Sequence, residues 1–198
     1  MVASLDGSTV VAGRSKPLSS DNDAAMLGAL RRAADVVLVG AGTVRGEGYG
    51  APRRSGLRIG VVTTTGDIDA ASELFTSGSG FLVMPEDGPS APRGPSGPVD
   101  AVRAGSGSVD LAAALSRLDE LMDPPVFAHV EGGARLNGAL LDAGCVDELN
   151  LTLSPTLAGG SGARVTSSAR ADLVGYDLVQ LAADEDSFLY GRWQRRSA

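Results

Sequence analysis

Four short, continuous apolar runs constrain this chain more than anything else in it: Val36-Val37-Leu38-Val39, Arg58 to Val62, Phe81-Leu82-Val83-Met84 and Val126 to Val130. Runs of this length without polar alternation suit strands buried on both faces. Helical patterns separate them. Asp21 to Ala34 puts Leu27, Leu30 and Ala34 on one stripe behind a Ser20/Asp21 cap, and Asp110 to Met122 puts Leu111, Leu115, Leu118 and Met122 on another. Ala134 to Ala143 forms a third, with Gly144 at the C′ position. Strands alternating with helices predict parallel βαβ crossovers and a central sheet covered on both sides, an α/β fold.

The rhythm changes toward the C-terminus. Leu149, Leu151 and Leu153 alternate with Glu148, Asn150 and Thr152, and Tyr176 to Ala183 and Ser187 to Trp193 flank the acidic turn Asp184-Glu185-Asp186. Half-exposed antiparallel strands follow from that alternation. The expectation is a mixed, mainly parallel sheet with antiparallel C-terminal strands, in a single domain over 1–198. The segment 86–98, with four prolines and three glycines, predicts a mobile surface loop.

Several chemistries are set aside by the inventory. One cysteine, Cys145, forms no intrachain disulfide, and with one histidine, His129, it builds no Cys/His zinc site, so no metal is expected. The start Met1-Val2-Ala3-Ser4-Leu5-Asp6 has neither a basic nor an apolar leader region, and no apolar run approaches a membrane span. A cytoplasmic protein is expected. The formal charge is −7, yet residues 1–60 hold eight Arg and Lys against five Asp and Glu. An acidic protein repels nucleic acid, so the basic quarter reads as an anchor for a small anion.

Ligand chemistry concentrates where strands end. The fourth run passes into Glu131-Gly132-Gly133 and then opens the helix at Ala134. Paired glycines before a helix N-terminus let an anion reach unpartnered backbone N–H groups, with Glu131 facing whatever carries that anion. Gly40-Ala41-Gly42-Thr43-Val44-Arg45 follows Val36 to Val39 in the same way, although it lacks the third glycine of a dinucleotide fingerprint and no convincing helix follows at once. The loop from Asp6 to Ser20, with the chain's only lysine, Lys16, is rich in donors and serves equally as a phosphate cradle or as a capped connection. His129 and Cys145 read as packed, inert residues.

These segments together resemble the reductase domain of the riboflavin-biosynthesis pyrimidine deaminase/reductase family. The matching pieces are Ala3 to Gly7, Leu30-Arg31, Val39 to Glu47, Glu131-Gly132-Gly133 with Leu136, and Leu140 to Leu149, in the family's order over most of the chain. The resemblance implies a dihydrofolate-reductase-like fold and NADPH-dependent reduction of 5-amino-6-(5-phosphoribosylamino)uracil, with hydride reaching the ribose carbon bonded to nitrogen. The H-x-E and P-C-x-x-C signature of the deaminase half is missing from this sequence.

Residue by residue, the resemblance implies cofactor contacts at Gly42, Thr43, Glu47, Gly132, Gly133, Ala134, Arg135 and Leu136. It implies substrate contacts at Ser15, Arg31 and Glu131, and a substrate-phosphate ligand at Arg53 or Arg54, with Arg53 taken as the site residue. Asp6 and Glu131 become the candidates for orienting the substrate and relaying a proton, Glu131 first. A cation for the 2′-phosphate is expected at Arg45 or beyond the strand that ends near Thr64. The resemblance and the exposed C-terminal strand edge both imply a homodimer. Two other readings stand beside this one: a pterin or dihydrofolate-type reductase using NADPH, and a nucleotide-binding protein without catalysis.

Overall fold

The computed structural model describes residues 1–167, 170 and 172–196. Its strands are β1 (Val2–Ala3), β2 (Val36–Gly40), β3 (Arg58–Val62), β4 (Gly80–Met84), β5 (Arg93–Gly94), β6 (Gly97–Pro98), β7 (Ala101–Arg103), β8 (Ala128–Val130), β9 (Glu148–Leu153), β10 (Tyr176–Ala183) and β11 (Leu189–Arg195). The α-helices are α1 (Asp21–Ala33), α2 (Ala41–Glu47), α3 (Glu73–Thr76), α4 (Leu111–Ser116) and α5 (Ala134–Asp142). The chain forms two compact units, 29–133 and the combination of 1–28 with 134–198.

Residues 29–133 hold the parallel sheet, in the order β7-β4-β3-β2-β8. The strand period of two sends alternate residues to opposite faces. Val37, Val39, Ile59, Val61, Leu82 and Met84 pack with Leu57, Leu74 and Phe75. Val36, Leu38, Phe81, Val83 and Val102 pack with Ala114 and Leu118. Both faces are therefore covered, as continuous apolar strands require. Gly60 belongs in this packing: a Cβ there would lie 2.6 Å from the Phe81 ring and 2.7 Å from Leu38.

The strand order fixes where a ligand can sit. From β2 the chain steps outward through β3, β4 and β7, then returns to place β8 on the other side of β2. Direction reverses between β2 and β8, and in open parallel sheets the crevice at such a switch point, outside the carboxyl ends of the strands, takes the ligand. Those ends carry Gly40 to Thr43 and Glu131 to Gly133.

In the other unit, β1-β9-β11-β10 form a four-stranded sheet in which β1 runs parallel to β9 and the rest are antiparallel. The strands thus form one all-parallel set and one mixed set that carries the antiparallel C-terminal strands. β10 is the edge strand, and Leu178, Val179 and Leu181 on it are about half exposed. Asp184 closes the β10–β11 turn by accepting from Asp186 N and Phe188 N.

Local chemistry explains where elements depart from the sequence pattern. A helix does follow β2 at once: α2 has Gly40 as its extended N-cap and ends at Gly48 in the left-handed region, with Val44 packed on the core. Tertiary burial of Val44 outweighs the poor propensities of Gly42 and Gly46. The fourth apolar run is strand only from Ala128, because the amides of Val126 and Phe127 donate to the Asp35 carboxylate instead of a ladder. The Asp110 to Met122 pattern yields α4, capped by Asp110 accepting from Ala113 N, then a separate 3₁₀ turn at Leu118–Glu120. Arg117, with φ −102° and ψ 6°, breaks the helix between them.

On α1, Ser20 Oγ accepts from Asp23 N as the cap requires, yet Leu27 is exposed rather than buried on a core stripe. The Pro-rich segment is held rather than loose. Arg103 donates to the carbonyls of Pro85, Gly88 and Pro89, while Asp87 accepts from Ser106 Oγ and Gly107 N. No helix among the described residues is long and apolar enough to cross a membrane, and no group of His, Cys, Asp and Glu among them could hold a metal.

Candidate functional site

Glu131 follows β8 directly, and its amide still donates to Leu38 O, so the backbone is tied to β2 while the side chain projects at the carboxyl end of the sheet. The side chain is only 5% exposed, and burying a carboxylate that deeply is costly unless it is paired. Arg31, in the last turn of α1, supplies the pair. Its Nε donates to Oε1 at 2.6 Å and its Nη2 to Oε2 at 2.5 Å, a bidentate fork. Tyr49 Oη donates to the same Oε2, and the Arg31 guanidinium lies 5.3 Å from the centroid of the Tyr49 ring.

His129 completes the group. In a strand, residues two apart share a face, and His129 Nε2 stands 3.6 Å from Glu131 Oε1. That nitrogen is buried and makes no hydrogen bond. The sequence pattern reads His129 as core and leaves it outside the site; the structure buries it, but against the carboxylate.

Burial alone would raise the Glu131 pKa, but the Arg31 hydrogen bonds and charge, the Tyr49 hydroxyl and His129 hold it below the ordinary 4.5. Burial first, then the Glu131 charge, push the Tyr49 phenol up, so it stays protonated. The Glu131 hydrogen bonds raise Arg31 against its burial. Burial pulls His129 below 6.5 despite the opposing pull of Glu131. At neutral pH the cluster is a carboxylate, a guanidinium, a phenol and a neutral imidazole. It can accept hydrogen bonds from a polyhydroxylated guest and offer Arg31 Nη1 to an anion.

Both depressed values act on stability in one direction. A group whose folded pKa lies below its unfolded one gives stability that is present above the unfolded value and lost as pH falls through the folded one. Unfolding free energy is therefore expected to decline on acidification, beginning near the unfolded His129 value of 6.5 and steepening below the Glu131 value of 4.5. Urea titrations across that range check this. His129→Gln should remove the first part and Glu131→Gln should reduce the second, to which Asp6, Asp35 and Asp184 also contribute, whereas a parent curve flat to the carboxylate range would contradict it.

The remaining candidates divide by unit. With Glu131 in residues 29–133 lie Gly42, exposed on α2 with nothing within 4 Å of where a Cβ would stand, and Thr43, whose Oγ1 sits 3.0 Å from where a Gly133 Cβ would be. Gly132 has φ +73° and its carbonyl accepts from Gly40 N at 2.7 Å. Glu47 is exposed at the end of α2. Arg45 is half-exposed and donates to Asp67 O, with the Asp67 carboxylate 3.5 Å away. Arg54 Nη2 donates to Ala34 O, a structural bond, while Arg53 is exposed and makes no hydrogen bond or ion pair within the described residues.

In the other unit, Asp6 is a loop clamp. Its carboxylate accepts from Ser4 Oγ at 2.5 Å, Ala158 N at 3.0 Å and Gly159 N at 2.7 Å, and the Ser4 hydroxyl and these amides hold its pKa down to about 2. Ser15 precedes a 3₁₀ turn, Lys16–Leu18. Ala134, Arg135 and Leu136 form the first turn of α5; Arg135 is exposed and Leu136 is buried.

Sequence reasoning missed Tyr49 and underrated His129. For His129 a signal existed, the two-residue spacing from a strand position to Glu131 at the strand's end. Tyr49 reaches the site because Gly48, with φ +71°, turns the chain back after α2, and no spacing in the sequence announces that.

Comparison with known proteins identifies the family. The family model described as RibD C-terminal domain matches residues 1–187. Over 172 residues, 81% of this chain and 77% of the relative, the chain is 28% identical to the 2,5-diamino-6-ribosylamino-4(3H)-pyrimidinone 5′-phosphate reductase of Methanothermobacter thermautotrophicus. The fold matches a pyrimidine reductase-like protein from Corynebacterium diphtheriae at TM-score 0.83 and 21% identity, covering 100% of this chain and 90% of that one. It matches a riboflavin biosynthesis reductase of Saccharomyces cerevisiae at TM-score 0.72 and 23% identity, covering 98% and 87%. The dihydrofolate reductase of Enterococcus faecalis, solved with NADP(H), follows at TM-score 0.58 and 14% identity, covering 99% and 94%. A mixed α/β fold of dihydrofolate-reductase type, carrying a buried Arg31–Glu131 pair at its switch point, and a family match spanning nearly the whole sequence lead to one conclusion: the chain belongs to the RibD C-terminal domain family.

Proposed function

We propose that this protein is an NADPH-dependent pyrimidine reductase of riboflavin biosynthesis, acting on a phosphorylated ribosylaminopyrimidine. The observation that carries the reading is the ionised, buried Glu131 held by Arg31 and Tyr49 at the carboxyl end of β8 in a chain of this family. A dihydrofolate-type reductase is the second reading, supported by the likeness of fold alone.

The residues present fit a nicotinamide dinucleotide. Gly42 leaves open space beside α2, and Gly133 approaches Thr43 so closely that a Cβ would crowd its hydroxyl, which are the features of a backbone cradle for pyrophosphate. Thr43, Gly42 and Glu47 would hold the cofactor from α2, and Gly132 and Gly133 from the turn after β8. Arg45 is the cation we assign to the 2′-phosphate, which would replace its exposed contact with Asp67. The chemistry the cofactor supplies when bound is hydride delivery to the ribose carbon bonded to nitrogen.

The chain's own groups do the rest. Arg53 and Arg31 Nη1 bind the substrate phosphate or a neighbouring anionic oxygen. Glu131, kept ionised, accepts a hydrogen bond from a sugar hydroxyl and relays a proton as the sugar opens, while the proton consumed with the hydride is drawn from solvent. Asp6, with a pKa of about 2, stays charged and orients by holding its loop. We read the protein as a cytoplasmic homodimer joined through the exposed β10 side of its antiparallel sheet, which sedimentation at micromolar concentration would check.

The test is turnover. Purified protein with NADPH should oxidise the cofactor when given a phosphorylated ribosylaminopyrimidine, in its 2-amino or its 2-oxo form, and should do so faster than with NADH. Tight NADPH binding without turnover of either form, or of dihydrofolate, would replace the enzyme by a nucleotide-binding protein.

A further inference from the structure

We propose that Tyr49 is the positioning residue of this site, a single side chain that sets both halves of the Arg31–Glu131 pair. Its ring lies beneath the guanidinium and its hydroxyl fixes one oxygen of the carboxylate. The inference rests on the reading of Glu131 as the carboxylate that faces substrate.

The fork from Arg31 to Glu131 leaves one freedom, since two planar groups joined by two hydrogen bonds can still rock about the axis between them. Tyr49 removes it. A hydroxyl on Oε2 and a ring 5.3 Å below the guanidinium constrain the pair from two directions at once. Tyr49 is itself anchored: its ring packs against the buried cluster formed by Val37, Val39 and their neighbours, and its amide donates to Val44 O at 3.4 Å as the chain leaves Gly48. The core therefore dictates where the carboxylate points. The other charged or titratable groups facing Glu131 are Arg31 from α1 and His129 from β8, and neither substitutes for a neutral donor on Oε2.

Two consequences separate positioning from a merely structural role. Without the hydroxyl, Glu131 loses one of the bonds that favour its ionised form, so its titration moves toward higher pH. Without the ring as well, Arg31 loses its platform, so orientation fails further. Tyr49→Phe isolates the first effect and Tyr49→Leu adds the second.

His129 is the only histidine in the chain, so one imidazole signal reports on Glu131 without substrate or cofactor. Its proton NMR shift is followed against pH in the parent, in Tyr49→Phe, and in Glu131→Gln, which identifies the Glu131 inflection by removing it. Kinetics are followed in parallel. The proposal expects the Glu131 inflection and the acid limb of the kcat profile to move upward together in Tyr49→Phe. It also expects kcat to drop on the order of tenfold, the scale of one hydrogen bond to a charged group, with the cofactor KM unchanged. Tyr49→Leu should lose more. An unmoved inflection in a folded Tyr49→Phe protein overturns the proposal, whatever the rate. A shifted inflection in a protein that turns over no pyrimidine keeps the positioning role and removes the reductase reading instead.

Discussion

An Arg31→Met protein is expected to unfold about 3 kcal/mol more easily than its parent, because the substitution strands Glu131 as a buried, uncompensated carboxylate. Losses of about 3–5 kcal/mol are usual when one partner of a fully buried pair is removed. The lower end applies here, since the Arg31 side chain is 35% exposed and water screens part of the interaction. The attribution can be separated from lost packing. In the double variant Arg31→Met, Glu131→Leu no charge is left unpaired, so most of the stability should return. Urea unfolding of the parent, the single and the double variant gives the coupling. If the double variant is no more stable than the single one, the cost lies in the shape of the α1 terminus and not in the charge. The same Arg31→Met protein should lose the inflection of its pH–stability curve in the normal carboxylate range, because Glu131 would then protonate at a higher pH.

Glu131→Gln is the mirror experiment, and its effect belongs to rate rather than to folding. The amide keeps the size and still accepts from Arg31 through its oxygen, so stability should change by less than in Arg31→Met. What disappears is the negative charge and the ability to take a proton. A positioned group that does this work contributes about 10²–10⁴ in rate, so kcat should fall by that order. If the carboxylate acts in the transition state, kcat and kcat/KM should fall together. A rise in substrate KM with kcat intact would make Glu131 a binding group only. Wild-type rates in a folded Glu131→Gln protein would move the chemistry elsewhere in the chain.

Much of the fold was legible because buried parallel strands leave an unmistakable trace. β3 runs over the very residues, Arg58 to Val62, that form one apolar run, and β2 and β4 differ from their runs by a single glycine at one end. The C′ role of Gly144 was legible too, and its φ of +72° confirms it. Elements fixed by side-chain capture of the backbone were harder. Asp35, ninety residues upstream, takes the amides of Val126 and Phe127, and no local pattern can report a partner that distant. α2 was hidden for the opposite reason. Its glycines argue against a helix, and only the burial of Val44 in the finished core makes one worthwhile.

At the site, Glu131 and Arg31 could be named from motif resemblance, but their contact could not, since it spans a hundred residues of sequence. His129 eluded the sequence because burial and involvement look like alternatives there. In this cluster they are the same thing, as the imidazole is buried against the carboxylate. Tyr49 required knowing where a left-handed glycine sends the chain. The separation of β9, β10 and β11 from the parallel sheet likewise depends on which strand edges find each other, a property of the folded chain rather than of any one run.

The most direct measurement of the central claim is isotope transfer. NADPH carrying deuterium at the reactive nicotinamide carbon is incubated with the protein and a phosphorylated ribosylaminopyrimidine, and the product is read by mass spectrometry and NMR. The expected result is a ribitylamino product bearing one deuterium on the carbon attached to nitrogen, in the parent and, far more slowly, in Glu131→Gln. A product without the label, or label that stays wholly in unreacted cofactor, would contradict it.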